Sequence, residues 1–102
     1  MFHFRLHPEA QNEAFAAREY ITADDLIEGE LFGSAVDDAL ARSCKAPLLY
    51  ACFDGQFRKI RVGKFRYRLV FRIRGEEIQT LAAMHMSRRP GYWKKRANTC
   101  PI

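Results

Sequence analysis

Cysteine is too scarce in this chain of 102 residues to build a covalent framework: there are three, at positions 44, 52 and 100, an odd number with no Cys-x-x-Cys spacing. That argues against a disulfide scaffold or a zinc ribbon and makes a reducing cytoplasm the expected setting. Long apolar runs are missing too. The longest, residues 46–53, falls well short of the roughly 20 residues a helix needs to cross a bilayer, so no membrane partner is expected. Residues 1–10 carry Arg5, two histidines and Glu9 where a targeting segment would carry an apolar stretch. There is no Gly-rich phosphate loop, no Ser-His-Asp set, no pair of carboxylates spaced for acid–base work and no cluster of metal ligands. Neither a metal nor a cofactor is expected.

Acidic residues are nearly absent from the second half. Residues 58–102 hold thirteen Lys and Arg against two acids, a net +11, whereas residues 1–57 hold four against ten, a net −6. A split this large points to a cationic surface for a polyanion or an acidic partner. The composition, 48% hydrophobic and 28% charged, is that of a folded chain, and the length suits one domain over residues 1–102 with a frayed tail at 97–102.

Periodicity supplies the elements. Phe2, Phe4 and Leu6 alternate with polar residues and predict a first strand. Pro8 opens a helix over residues 8–20, whose stripe is mostly alanine. A second helix begins at Thr22, with Asp25 as its capping-box partner, and carries Ile27, Leu31, Val36, Ala39 and Leu40 on one face to about Ser43. Gly29 and Gly33 weaken this helix but allow close approach to the first. Residues 48–53 are expected as a short, buried extended piece. Strands follow over 57–62, 66–74 and 77–86, with Gly75 and Glu76 as the tight turn, then a terminal helix over 91–96. The order β-α-α-β-β-β predicts a two-layer α+β fold, an antiparallel sheet with a helical hairpin on one face and a short C-terminal helix.

The run 66–74 carries the chemistry. Its odd positions are Tyr67, Leu69, Phe71 and Ile73; its even positions are Arg66, Arg68, Val70, Arg72 and Arg74. Successive side chains leave a strand on opposite faces, so the odd set is expected under the helices and Arg66, Arg68 and Arg72 in solvent. Lys59 and Arg61 join them from the preceding strand. Like charges on neighbouring strands repel, and an anionic partner would relieve this. Arginine outnumbers lysine, which favours bidentate contact with phosphate or carboxylate.

The segment MHMSRRPGYWKKR at 84–96, preceded by KFRYRLVFRIRGEEIQTLAA at 64–83, resembles the C-terminal signature of the ParE-type plasmid-stabilisation toxins, within the RelE/ParE superfamily. The stretch FRLHPEAQNEAFAA at 4–17 is similar to that family's first strand and the Pro-Glu-Ala opening of its first helix. The resemblance implies the α+β fold read above. It also implies a toxin of a type II toxin–antitoxin system that inhibits DNA gyrase by protein contact and is silenced by a cognate antitoxin. Arg66, Arg68, Arg72, Arg88, Arg89, Tyr92 and Trp93 are the residues expected to meet antitoxin or target. The RelE branch offers an alternative, an mRNA endoribonuclease acting on the ribosome without a metal. Its catalytic set would here be Lys59, Arg61, Arg68, His85, Arg88 and Tyr92, with His85 before the Arg pair rather than after it and Tyr92 earlier in the chain than that pattern has its aromatic. A third reading, from charge alone, is a nucleic-acid-binding module without toxicity.

Overall fold

The computed structural model describes residues 2–98. The chain runs β1 (His3–Leu6), α1 (Pro8–Asp24), α2 (Leu26–Lys45), a 3-10 turn (Pro47–Leu49), β2 (Cys52–Asp54), β3 (Phe57–Arg61), β4 (Tyr67–Arg74), β5 (Glu77–His85) and α3 (Lys94–Asn98). This is the expected α+β fold, with three differences in detail. The sheet has the order β1-β5-β4-β3-β2 and is mixed, because β1 returns beside β5 in parallel while the other pairings are antiparallel. Residues 48–53 are not a buried strand: Leu48 and Leu49 lie on the exposed 3-10 turn, and the short β2 at the sheet edge begins only at Cys52. The terminal helix lies further along the chain than 91–96, and the rest of the expected frayed tail, 99–102, falls outside the described residues. Among the described residues no helix is long and apolar enough to cross a membrane.

The helical hairpin turns at Asp25 rather than Thr22. Asp25 is the N-cap of α2, and its Oδ1 accepts from the backbone N–H of Ile27 at 3.0 Å and of Glu28 at 3.1 Å. Thr22 stays helical, and its side chain lies against Gly29, where a Cβ would collide with it. The glycine therefore buys close packing of α1 on α2. The face that α2 buries is Phe32, Val36, Ala39, Leu40 and Ser43; Ile27 and Leu31, expected on that face, lie in solvent.

In β4 the alternation of faces holds, but exposure does not follow it: residues 69–72 are all buried, and Arg68, expected in solvent, is half-buried. Leu69 and Phe71 are fully buried beneath the helices, with Tyr67 and Ile73 partly buried beside them. The other sheet face has its own core, where Val70, Leu81, Ala82 and Met84 pack on Trp93. A register shift between Val70 and Phe71 makes Leu81 the extra residue opposite β4, so Leu81 and Ala82 both join this second cluster. The sheet is thus covered on both faces, fully by the hairpin and in part by the C-terminal segment.

Candidate functional site

That C-terminal segment divides the cationic face in two. Trp93 is completely buried, with its ring edge-on to Phe57 at 4.7 Å and to Phe53 at 5.9 Å. Next to it Arg72 is only 4% exposed: its Nε donates to Gln79 Oε1 at 2.9 Å and its Nη2 to the carbonyl of Ala97 at 3.1 Å. Arg72 and Trp93, both expected at the partner surface, are instead interior. The alternation of β4 assigned Arg72 its face correctly, but it carried no information on whether that face is covered.

The other half of the face is open and cationic. Arg61 and Arg68 stand directly opposite each other across β3 and β4. Lys59 is two residues along, its ammonium 4.7 Å from the centre of the Phe53 ring. Arg66 begins the same row, and Arg88 and Arg89 follow the end of β5. No ion pair joins any of these six to a carboxylate among the described residues. The like-charged pair Arg61–Arg68 is unfavourable in isolation, so this end of the sheet is electrostatically prepared for an anion.

Glu13 organises the border of this site. Only the first half of β5 pairs with β1, through Glu77–Thr80, which leaves the second half as a sheet edge. Glu13 Oε1 accepts the N–H of Ala83 at 3.1 Å, and Arg96 Nη1 donates to the carbonyl of Leu81 at 2.9 Å, so two side chains take the place of a neighbouring strand. Arg96 grips Glu13 with both nitrogens, at 2.8 and 3.1 Å. Tyr92 donates its hydroxyl to Glu13 Oε2 at 2.7 Å, and the Arg88 guanidinium lies 4.0 Å from the Tyr92 ring centre. Burial, and then the bond to Glu13 and its charge, push the Tyr92 phenol well above its ordinary range. Sequence reasoning passed over both Glu13 and Arg96. A signal was there for Glu13: it falls on the helical stripe with Ala10 and Ala17, where a carboxylate needs a partner.

The nuclease set falls into two groups: His85, Arg88 and Tyr92 gather where β5 ends, apart from Lys59, Arg61 and Arg68. Lys59, Arg61 and Arg68 share the open face, but His85 pairs across the strands with Tyr67, on the face beneath the helices. Its ring stands edge-on to Tyr67 at 4.9 Å, and its Nδ1 accepts the N–H of Ser87 at 3.0 Å. Tyr92 is held by Glu13 with its proton on.

A family model described as ParE toxin of the type II toxin–antitoxin system parDE matches residues 4–90. The chain belongs to the ParE toxin family. No curated protein matches it. Membership makes it a toxin of a type II toxin–antitoxin system and implies a cognate antitoxin. In this ParE-family toxin the match takes in every cation of the open half-face, from Lys59 to Arg89. It stops before Tyr92, Trp93 and Arg96, the residues that clamp the C-terminal segment to the sheet.

Proposed function

We propose that this toxin inhibits DNA gyrase by direct protein contact, and that its antitoxin silences it by laying an acidic segment over the open cationic end of the sheet. Such a pair would serve plasmid stabilisation from the cytoplasm, a setting consistent with free thiols at Cys44 and Cys52. The observation that carries the choice of gyrase over messenger RNA is the separation of His85 and Tyr92 from the cations Lys59, Arg61 and Arg68 of the open face. Transesterification at a ribose 2′-hydroxyl needs a base and an acid within hydrogen-bond reach of one phosphate that cations also hold. His85 lies across the sheet from Arg68, and Tyr92 is a neutral phenol bound to a carboxylate. The cations alone can dock a partner without catalysing a reaction.

The RelE-type reading keeps one supporting observation, the shared face of Lys59, Arg61 and Arg68. Expression of the toxin without antitoxin separates the two. Gyrase poisoning gives filamentous cells with broken DNA; ribosome-dependent cleavage gives prompt arrest of translation with the chromosome intact. The first outcome is expected. A third reading, a non-toxic nucleic-acid module, would leave growth unaffected.

A further inference from the structure

Two adjoining hollows of about 230 and 510 Å³ lie where the end of α1 meets the end of β5, on the helix side of the sheet. Tyr20, Tyr67 and His85 line both; Arg88 borders one, and Arg66 and Ser87 border the other. Arg66 and Arg88 border both this cleft and the open cationic end, and the nuclease reading names His85 and Arg88 singly, but neither reading uses the cleft as a whole.

Its walls are rich in donors and poor in acceptors. His85 Nδ1 is engaged by Ser87, accepting its backbone N–H at 3.0 Å and lying 2.7 Å from its hydroxyl, while Nε2 has no hydrogen-bond partner among the described residues. Arg66 and Arg88 have no carboxylate partner there. The one carboxylate in the walls, Glu13, has both oxygens filled by Ala83, Tyr92 and Arg96. An anion entering the cleft would therefore meet two guanidinium groups and the His85 ring edge, with no free carboxylate to oppose it. The second feature is aromatic. Tyr67 is fixed edge-on between Phe32 at 5.2 Å and His85, whereas Tyr20 is 79% exposed and offers a free ring at the rim. A cationic floor beside an unstacked aromatic ring is how proteins hold a nucleotide, phosphate on the charges and base on the ring. An acidic peptide would use the charges and leave the ring idle.

We propose that this cleft binds a nucleoside phosphate, with the phosphate on Arg66, His85 and Arg88 and the base stacked on Tyr20. The inference does not depend on gyrase being the target. The ligand could be a free nucleotide or one nucleotide of a single strand, and the two are separable by experiment.

The test is an NMR titration of the full-length, isotope-labelled toxin with thymidine monophosphate, oligothymidylate, inorganic phosphate, thymidine and an oligoglutamate peptide. Expected are shifts of the His85 ring and of the Ser87–Arg89 amides with both nucleotide ligands, weaker shifts with phosphate, and none with thymidine. Tighter binding of the oligomer would identify a strand as the ligand; equal binding would identify the free nucleotide. Arg66→Ala and Arg88→Ala should each weaken binding about tenfold. Tyr20→Ala should weaken the nucleotides by a similar factor and leave phosphate unchanged. Arg74→Ala, at the opposite end of β4, should change nothing. All four side chains are exposed, so the variants are expected to fold, and their spectra report it directly. The proposal is overturned if no shift appears up to about 10 mM nucleotide. It is equally overturned if phosphate binds as well as thymidine monophosphate and ignores Tyr20→Ala, or if oligoglutamate, which is expected to move the Arg88 and Arg89 amides from the open face, moves the His85 ring as strongly as the nucleotide does.

Discussion

Arg68 and Arg72 sit two residues apart on one strand and one face, yet they have opposite roles. Arg72 is an interior side chain whose donors are spent on Gln79 and Ala97. Arg68 faces another arginine and holds no carboxylate among the described residues. The difference comes entirely from what lies above each. The carboxylate of Glu13 illustrates the converse, a charge that makes sense only when its partners are seen. Replacing Glu13 with Ala would strand the Ala83 N–H and leave Arg96, with only 12% of its side chain exposed, with the more distant and exposed Glu9 at 3.4 Å as its remaining carboxylate. A loss of about 3 kcal/mol in denaturant unfolding is expected, the range for breaking a buried charge pair. Tyr92→Phe removes one hydrogen bond to a charged acceptor and should cost about 1.5 kcal/mol without changing toxicity; the RelE-type reading instead has it abolish toxicity. The same phenol sets a pH dependence. Its pKa is raised in the folded state by burial first and then by Glu13, so the folded state favours the neutral form. That stability is fully present below the unfolded value of about 10 and is lost as pH rises above it. Thermal unfolding of the native chain should therefore fall off at alkaline pH, and part of that fall should disappear in Tyr92→Phe.

At the scale of elements, the sheet strands were legible and their surroundings were not. Period-two alternation is a direct consequence of the pleat, so residues 66–74 declared which side chains share a face, and Leu69 and Phe71 are indeed in the core under the helices, but the burial of Val70 and Arg72 on the other face left no mark on it. The hairpin's existence was legible too. Its turn was misread because Thr22 and Asp25 are both good caps, and only the chain's actual path makes Asp25 the one that accepts from Ile27 and Glu28. The parallel docking of β1 on β5 is a topological fact with no local signal. Nor did local sequence show that Ile27 and Leu31 lie outside the core, since a helix's period fixes the spacing of a face but not its rotation. At the candidate site, the cations were legible, whereas their partners were not: Glu13 is 83 residues from Arg96. Gly29 gives a test of the hairpin. Alanine is the better helix former by about 1 kcal/mol, yet Gly29→Ala should lower the melting temperature because its Cβ would meet Thr22.

Over the whole molecule, charge is sorted by layer. The acidic first half forms the hairpin and the basic second half forms most of the sheet, and the C-terminal segment narrows the exposed cationic area to the end around Arg61, Arg66, Arg68 and Arg88. Antitoxin affinity is therefore expected to be salt-dependent. The double variant Arg68→Ala/Arg88→Ala should weaken it at least about tenfold, 1.4 kcal/mol, while leaving unfolding stability within about 0.5 kcal/mol. Unchanged affinity at low and moderate salt would move the docking site elsewhere. The central claim, a cationic toxin that inhibits gyrase by contact and not by cutting RNA, comes down to one measurement. Purified toxin is added to purified gyrase with relaxed plasmid and, in parallel, to translating ribosomes with a defined message. Supercoiling is expected to fall with toxin concentration and to be restored by antitoxin, while the message stays intact on the ribosome. Full supercoiling beside a cleaved message would contradict the central claim.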